Sequence, residues 1–223
     1  MILLSHIIDF DTPSYGNRDK FIIEETSRIT DGKSANSSKW MFSNNHLGTH
    51  VDVPKHFFDS GKTLTDYHPQ EWIFKNVQLI DVPCDEAILI NREHLEGKIL
   101  ENIDLLLIRT GYEQYRSIDK YWDDNPGLSP QLGFWLRKNF NIKAVGFDFI
   151  SLTSWKFRDE GKVAHRAFLD PDGDNQPIRI IEDMKLSEVD KDIKKLIVAP
   201  CIVKCGNGSP VTVFCVNDFK IIK

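Results

Sequence analysis

The chain has 223 residues, 41% hydrophobic and 27% charged, a composition that fills the core of one sizeable globular domain spanning 1–223. A net charge of −5 with no basic cluster argues against nucleic acid and anionic membrane as partners. No stretch approaches the ~20 apolar residues of a membrane span, and the apolar start at Met1–Leu4 is too short for a secretion signal, so a cytoplasmic protein is expected.

Residues 2–10 (ILLSHIIDF) read as a first strand, and Pro13 and Gly16 mark a turn in which Tyr15 is a candidate pocket wall. Residues 21–30 suit a second strand, and the polar stretch 32–38 reads as a loop before Trp40-Met41-Phe42. Residues 46–56 follow, HLGTHVDVPKH, with three histidines and a carboxylate at positions 46, 50, 52 and 56. All four offsets are even, so on an extended strand the side chains leave one face toward one pocket. A helix fits less well, because Asp52 would leave the face shared by His46 and His50, and Gly48 and Pro54 disfavour a helix interior. Imidazole with carboxylate at short separation is the ligand set of zinc and other divalent first-row metals.

Beyond the motif, 68–75 hold a short helical turn and 76–82 alternate as a strand. Asn91 caps a helix start, and 104–110 (DLLLIRT) form an apolar run typical of a central strand. The charged and aromatic segment 113–125 reads as surface cover. Ser129 and Pro130 open a helix to about Asn139, with Leu132, Trp135 and Leu136 at helical spacing. Residues 143–150 form another strand ending near Asp148, His165 falls in a loop-like context, and Asp170–Asp174 is a turn without the downstream pattern of a calcium loop. Residues 178–184 suggest a strand carrying Glu182, and 196–203 and 210–216 close the chain as strands about a turn at 206–208.

The expected fold is therefore α/β: a mixed, strand-rich sheet or barrel-like core with a few flanking helices. Several residues carry two readings. Asp148 either orients a ligand histidine or caps a loop, and Arg109 either meets a substrate carboxylate or forms a structural ion pair. His6, His68 and His94 read as ordinary core or surface residues, and Cys201 and Cys205 as buried, reduced thiols.

The pattern H-x-G-T-H-x-D-x-P-x-H from His46 to His56 resembles the signature of the metal-dependent cyclase family, which includes bacterial kynurenine formamidases and isatin hydrolases. Residues 107–112, 126–129, 145–151, 165–169, 181–183 and 208–211 are similar to its further segments in the same order, with Thr212 where the family tail carries Arg. The resemblance implies a swivelling β/β/α-like fold and a site of one or two divalent ions, zinc by preference with manganese possible. His46, His50 and Asp52 would hold one ion, and Asp52, His165 and Glu182 the second, while His56 would transfer protons. The reaction implied is hydrolysis of a C–N amide bond in a small aromatic or cyclic amide, by a homo-oligomer (dimer or tetramer). Tyr15 stands where the formamidases carry Trp, and Asp170–Asp174 lengthens the gap between His165 and Glu182. The alternative is a non-catalytic metal- or small-molecule-binding protein of the same fold.

Overall fold

The computed structural model describes residues 1–189 and 193–216. In chain order its strands are β1 (Ile2–Leu3), β2 (Phe21–Ser27), β3 (Ser37–Phe42), β4 (His50–Asp52), β5 (Ile73–Phe74), β6 (Val77–Asp81), β7 (Leu89–Ile90), β8 (Leu105–Arg109), β9 (Gly127–Leu128), β10 (Ala144–Phe147), β11 (Arg179–Glu182), β12 (Leu196–Pro200) and β13 (Gly208–Cys215). The α-helices among the described residues are α1 (Arg92–Leu95), α2 (Lys120–Asp123), α3 (Pro130–Asn139) and α4 (Arg158–Leu169).

Nine strands form one mixed sheet in the order β5-β12-β13-β4-β11-β10-β8-β6, with β1 added on β13, and the sheet curls into a nearly closed barrel. One half is parallel: β6, β8, β10 and β11 run together. The other half is antiparallel, β11 to β4, β4 to β13 and β13 to β12. The parallel strands read as continuous apolar runs because both of their faces are covered. On β8, Leu106 and Ile108 pack toward α3 and α4 with Leu132, Leu136 and Phe168. Leu105 and Leu107 turn to the other side and pack with Val51, Ile181, Val198 and Val213. The expected α/β architecture is what the structure shows.

Local signals decide the helix ends. The Ser129 hydroxyl accepts from Leu132 N at 3.1 Å and Pro130 occupies the first turn of α3. The Asn91 side chain accepts from Glu93 N at 3.1 Å at the head of α1. Elsewhere the structure corrects the sequence reading. The 2–10 strand shrinks to Ile2–Leu3, and residues 37–42 at the end of the polar stretch pair with β2 as a two-stranded ribbon. Segment 113–125 does more than cover the surface: Tyr121 within it is 0% exposed, and Arg116 pairs with Asp183. Cys201 and Cys205 are exposed rather than buried, because β12 ends at Pro200 and the chain leaves the sheet there.

Candidate metal centre

The motif does not lie on one strand. Gly48 takes a left-handed conformation (φ 66), which side chains with a Cβ adopt at a cost, and so bends the chain between His46 and β4. Only His50–Asp52 pairs as a strand. Pro54, with its fixed φ, then opens a 3-10 turn, Pro54–His56, in which His56 N donates to Val53 O at 2.8 Å. His50 and Asp52 share a strand face as parity requires, while His46 and His56 arrive from the bend before and the turn after. The four groups still converge.

They converge at the seam of the sheet, where β4 pairs with β11 and the parallel half meets the antiparallel half. The register sets Glu182 opposite His50 and Ile180 opposite Asp52. His165 comes from the middle of α4; the loop expected for it is a helix, which packs on β11 and carries the imidazole inward. The Asp170–Asp174 insertion is an exposed turn whose Asp174 carbonyl accepts from Arg137 Nε, and it leaves Glu182 beside His165.

Asp52 is the hub. Its carboxylate lies 2.7 Å from His46 Nδ1, 3.6 Å from His50 Nε2, 3.6 Å from His165 Nε2 and 3.9 Å from His56 Nε2. Glu182 lies 3.2 Å from His50 Nε2 and 3.7 Å from His165 Nε2. Ligand atoms of His46, Asp52 and His56 fall within 4.8 Å of one another, as do those of His50, Asp52 and Glu182. By distance, then, His46 groups with His56 and His50 with Glu182, with Asp52 common to both sets.

The hydrogen bonds say which nitrogens face the centre. His50 Nδ1 lies 2.8 Å from Gly48 O, and His165 Nδ1 lies 2.9 Å from Gly161 O. A carbonyl only accepts, so in both rings Nδ1 carries the proton and Nε2 faces the carboxylates. A neutral Nε2 lone pair against carboxylate oxygens is repulsive unless a cation lies between them. Two carboxylates, each under 4% exposed, with two carbonyl-locked imidazoles, are a donor set that fits a divalent ion. Without an ion the rings take protons instead. Burial lowers the His50 pKa, but the hydrogen bond and charge of Glu182, with Asp52, lift it to about 9. His165 is lifted to about 10 against the same burial by Asp52 and Glu182. Burial raises the Glu182 pKa, as does Asp52, yet its bonds from His165 and His50 hold it at about 2.

His56 differs. Burial lowers its pKa to about 4, and the Asp52 charge only partly offsets this. It is therefore neutral near pH 7, with its ring stacked on His46 at 4.0 Å between centroids. Its side chain is 26% exposed, against 5% for His50, so it stands at the rim of a cleft of about 220 Å³ above the cluster.

The other cleft walls are mostly unannounced in the sequence. Tyr15 does line the cleft, packed edge-on against Trp155 at 5.0 Å. Phe57 stacks on His165 at 4.6 Å and 14° between ring planes. Arg18 and Asn44 also reach the cleft, and Asn207 bonds to His46 Nε2 at 3.3 Å. A lone Arg or Asn in a loop carries no spacing signal that would mark it. Gly208 did carry one: a Cβ there would meet the His46 ring at 2.5 Å, so the GSPV segment needs glycine where it passes the imidazole. The doubled readings also resolve. Asp148 accepts from Thr110 N, Thr110 Oγ1 and Gly111 N at 2.6–2.8 Å and caps the end of β8. Arg109 pairs with Asp81 at 2.7 Å as a structural ion pair.

A mixed, barrel-like sheet with buried carboxylates and imidazoles at its seam, below an aromatic-walled cleft, defines an α/β protein built around a candidate divalent-metal site. The sequence model of the Cyclase family matches residues 2–153, and the chain belongs to that family. A kynurenine formamidase of Bacillus cereus (strain ATCC 10987 / NRS 248) is 30% identical over 166 residues, 74% of this chain and 73% of the relative. An uncharacterized protein of Haemophilus influenzae is 34% identical over 110 residues, 47% of this chain and 78% of its own. Among solved structures, isatin hydrolase A from Labrenzia aggregata, bound to benzyl benzoate, superposes with a TM-score of 0.75 at 21% identity, covering 95% of this chain and 91% of that one. At that identity the likeness shows the fold.

Proposed function

We propose that the chain is a metal-dependent hydrolase that opens a C–N amide bond in a small aromatic or cyclic amide. It is an enzyme acting on carbon–nitrogen bonds other than peptide bonds. The observation that carries this reading is the division of labour among the histidines: His50 and His165 are locked by carbonyls with Nε2 toward two carboxylates, whereas His56 is neutral at the cleft rim. A non-catalytic binding protein needs no such neutral base.

A divalent ion supplies two things when bound: it lowers the pKa of water from 15.7 to about 7, and it polarises a carbonyl. The chain's own residues do the rest. His46, His50 and Asp52 would hold one ion, and Asp52, His165 and Glu182 a second, with Glu182, 3.2 Å from His50 Nε2, in reach of both. His56 Nε2 takes a proton from the attacking water and returns it to the departing nitrogen. Tyr15, packed edge-on against Trp155, and Phe57 present an aromatic wall to a flat substrate, with Tyr15 where the formamidases carry Trp. Zinc suits the imidazole-rich set, with manganese as the alternative where carboxylates dominate. An arylformamide of the kynurenine type is the first substrate to try, and a lactam such as isatin the second.

We also place the protein in the cytoplasm as a homo-oligomer. Free thiols at Cys84, Cys201 and Cys205 suit a reducing compartment, and no described helix is long and apolar enough to cross a membrane. Ile22, Ile23, Trp40 and Phe42, exposed on the β2–β3 ribbon, support association, since a lone two-stranded ribbon is marginal in water. Elemental analysis of the purified protein and of His50→Ala, with an amide and lactam panel, tests the reading. Metal and turnover should vanish together in the variant. Full metal content in His50→Ala, or a metal-loaded protein inert on every C–N substrate, overturns it.

A further inference from the structure

The strand that ends on Glu182 begins on a buried arginine that the cleft does not use. Arg179 is 3% exposed. Its guanidinium lies among three rings, with Cζ 4.7 Å from the Tyr67 centroid, 4.8 Å from Trp72 and 5.3 Å from Phe74. Its Nε gives only a long bond to Lys143 O at 3.4 Å, and Nη1, fully buried, has no partner. No ion pair to it exists among the described residues; Glu71 and Asp104 act on it only from a distance. Stacked rings attract a guanidinium, but they leave its donors unpaired, and a buried charge without a counter-ion is costly.

A cavity of about 140 Å³ opens beside this guanidinium, and Lys62 and Lys143 line it too. Lys143 and Arg179 are forced together by the sheet: Arg179 N donates to Lys143 O at 3.0 Å where β11 starts beside β10. Three cationic residues therefore line one space. Glu71 also lines it, but that carboxylate accepts from His68 N at 2.9 Å and caps its own turn. The positive excess is left for something else to neutralise. Exposed Lys62 and Gln176 bring the cavity to the surface, so a solute can enter.

We propose that this cavity binds a small oxyanion, a phosphate-like or carboxylate-bearing solute, held by the fork of Arg179 and the ammonium groups of Lys62 and Lys143. The fork matches two oxygens of such an anion, and the lysines serve as point charges. Pro54, which opens the turn carrying His56, lines the same cavity. An anion there ties β11 to that turn. The inference stands whether or not the cleft holds metal.

The test is titration of the metal-loaded protein with sodium phosphate, sulfate or acetate at constant ionic strength, by calorimetry and tryptophan fluorescence, since Trp72 stacks on Arg179. Saturable binding of one anion per chain is expected. Phosphate and sulfate without acetate assigns a tetrahedral ligand, and acetate assigns a carboxylate. Lys62→Gln with Lys143→Gln should bind about tenfold or more weakly, and Glu71→Gln should bind more tightly. Arg179→Met should abolish binding where it folds, and the lysine variants, on exposed and half-buried positions, keep the question open to measurement where it does not. Absence of saturable binding overturns the proposal. So does unchanged affinity in the lysine variant, which places the anion elsewhere, or weaker affinity in Glu71→Gln, which makes Glu71 the native partner of Arg179.

Discussion

Glu182 and Asp183 are adjacent in the chain and both buried, yet their carboxylates keep different company. Glu182 faces His50 and His165 at 3.2 and 3.7 Å, with Asp52 beyond them. Asp183 faces Arg116, whose Nε and Nη2 lie 2.9 and 2.8 Å away, and takes the Tyr121 hydroxyl at 2.5 Å. Arg116 keeps its charge in any accessible pH, so Asp183 is closed into a permanent pair. The partners of Glu182 are imidazoles, which can give up their protons. A carboxylate held by a fixed cation is structural; one held by exchangeable cations can receive a metal. The backbone helps separate the two, since Asp183 sits at φ 52, just past the end of β11.

The largest effects should come from removing the hub on one side and the pair on the other. Asp52 lies within 4.0 Å of four imidazoles, so Asp52→Asn should abolish bound metal and all turnover. Asp183→Asn leaves the half-buried Arg116 without its counter-charge. It should cost about 3 kcal/mol of stability, the lower end of the cost of breaking a buried pair, while the metal content of the folded protein stays at the native value. Metal analysis and denaturant melts separate the two outcomes. A stable, metal-poor Asp183→Asn would erase the distinction between the carboxylates.

How far the sequence carried this contrast follows from the range of the interactions. The 46–56 cluster was legible because its ligands lie within one short segment, although the strand parity that suggested convergence holds only for His50 and Asp52. The β8 and β10 runs were legible because burial on both faces leaves an uninterrupted apolar signal. His165 was misplaced because α4 begins Arg-Asp-Glu-Gly-Lys, charged and broken by Gly161, so its apolar face shows only from Ala164 onward. Arg116 was invisible as the mate of Asp183: the two are far apart in the chain, in a segment whose charge reads as surface. The order of strands was beyond reach too, since β4 lies between β11 and β13 only by long-range pairing.

An intermediate effect is expected at His56. It touches the hub at 3.9 Å but is more exposed than the other buried imidazoles and neutral by burial. His56→Gln should therefore lower kcat by about 10²–10⁴-fold and leave metal content unchanged. Loss of metal in step with activity would move His56 into the ligand set, where its distances to His46 and Asp52 also allow it to sit.

The subtlest consequence is in proton uptake, and it separates the two carboxylates by pH. In metal-free protein, His50 and His165 titrate at about 9 and about 10, above the ordinary histidine value of about 6.5. The stability they contribute is therefore complete below about pH 6.5 and is lost as pH rises through 9 to 10. Metal-free protein should melt at progressively lower temperature across that window, and metal-loaded protein should not follow it, because the ion replaces the protons. Asp183 behaves oppositely: burial raises its pKa, but Arg116 holds it below the usual carboxylate range, so its contribution is constant above pH ~4 and lost only in acid. Calorimetry of metal binding near neutral pH, in buffers of different ionisation heat, should register release of about two protons. No release would mean that both Nε2 atoms are already bare beside Glu182, and that its partners are no more exchangeable than Arg116.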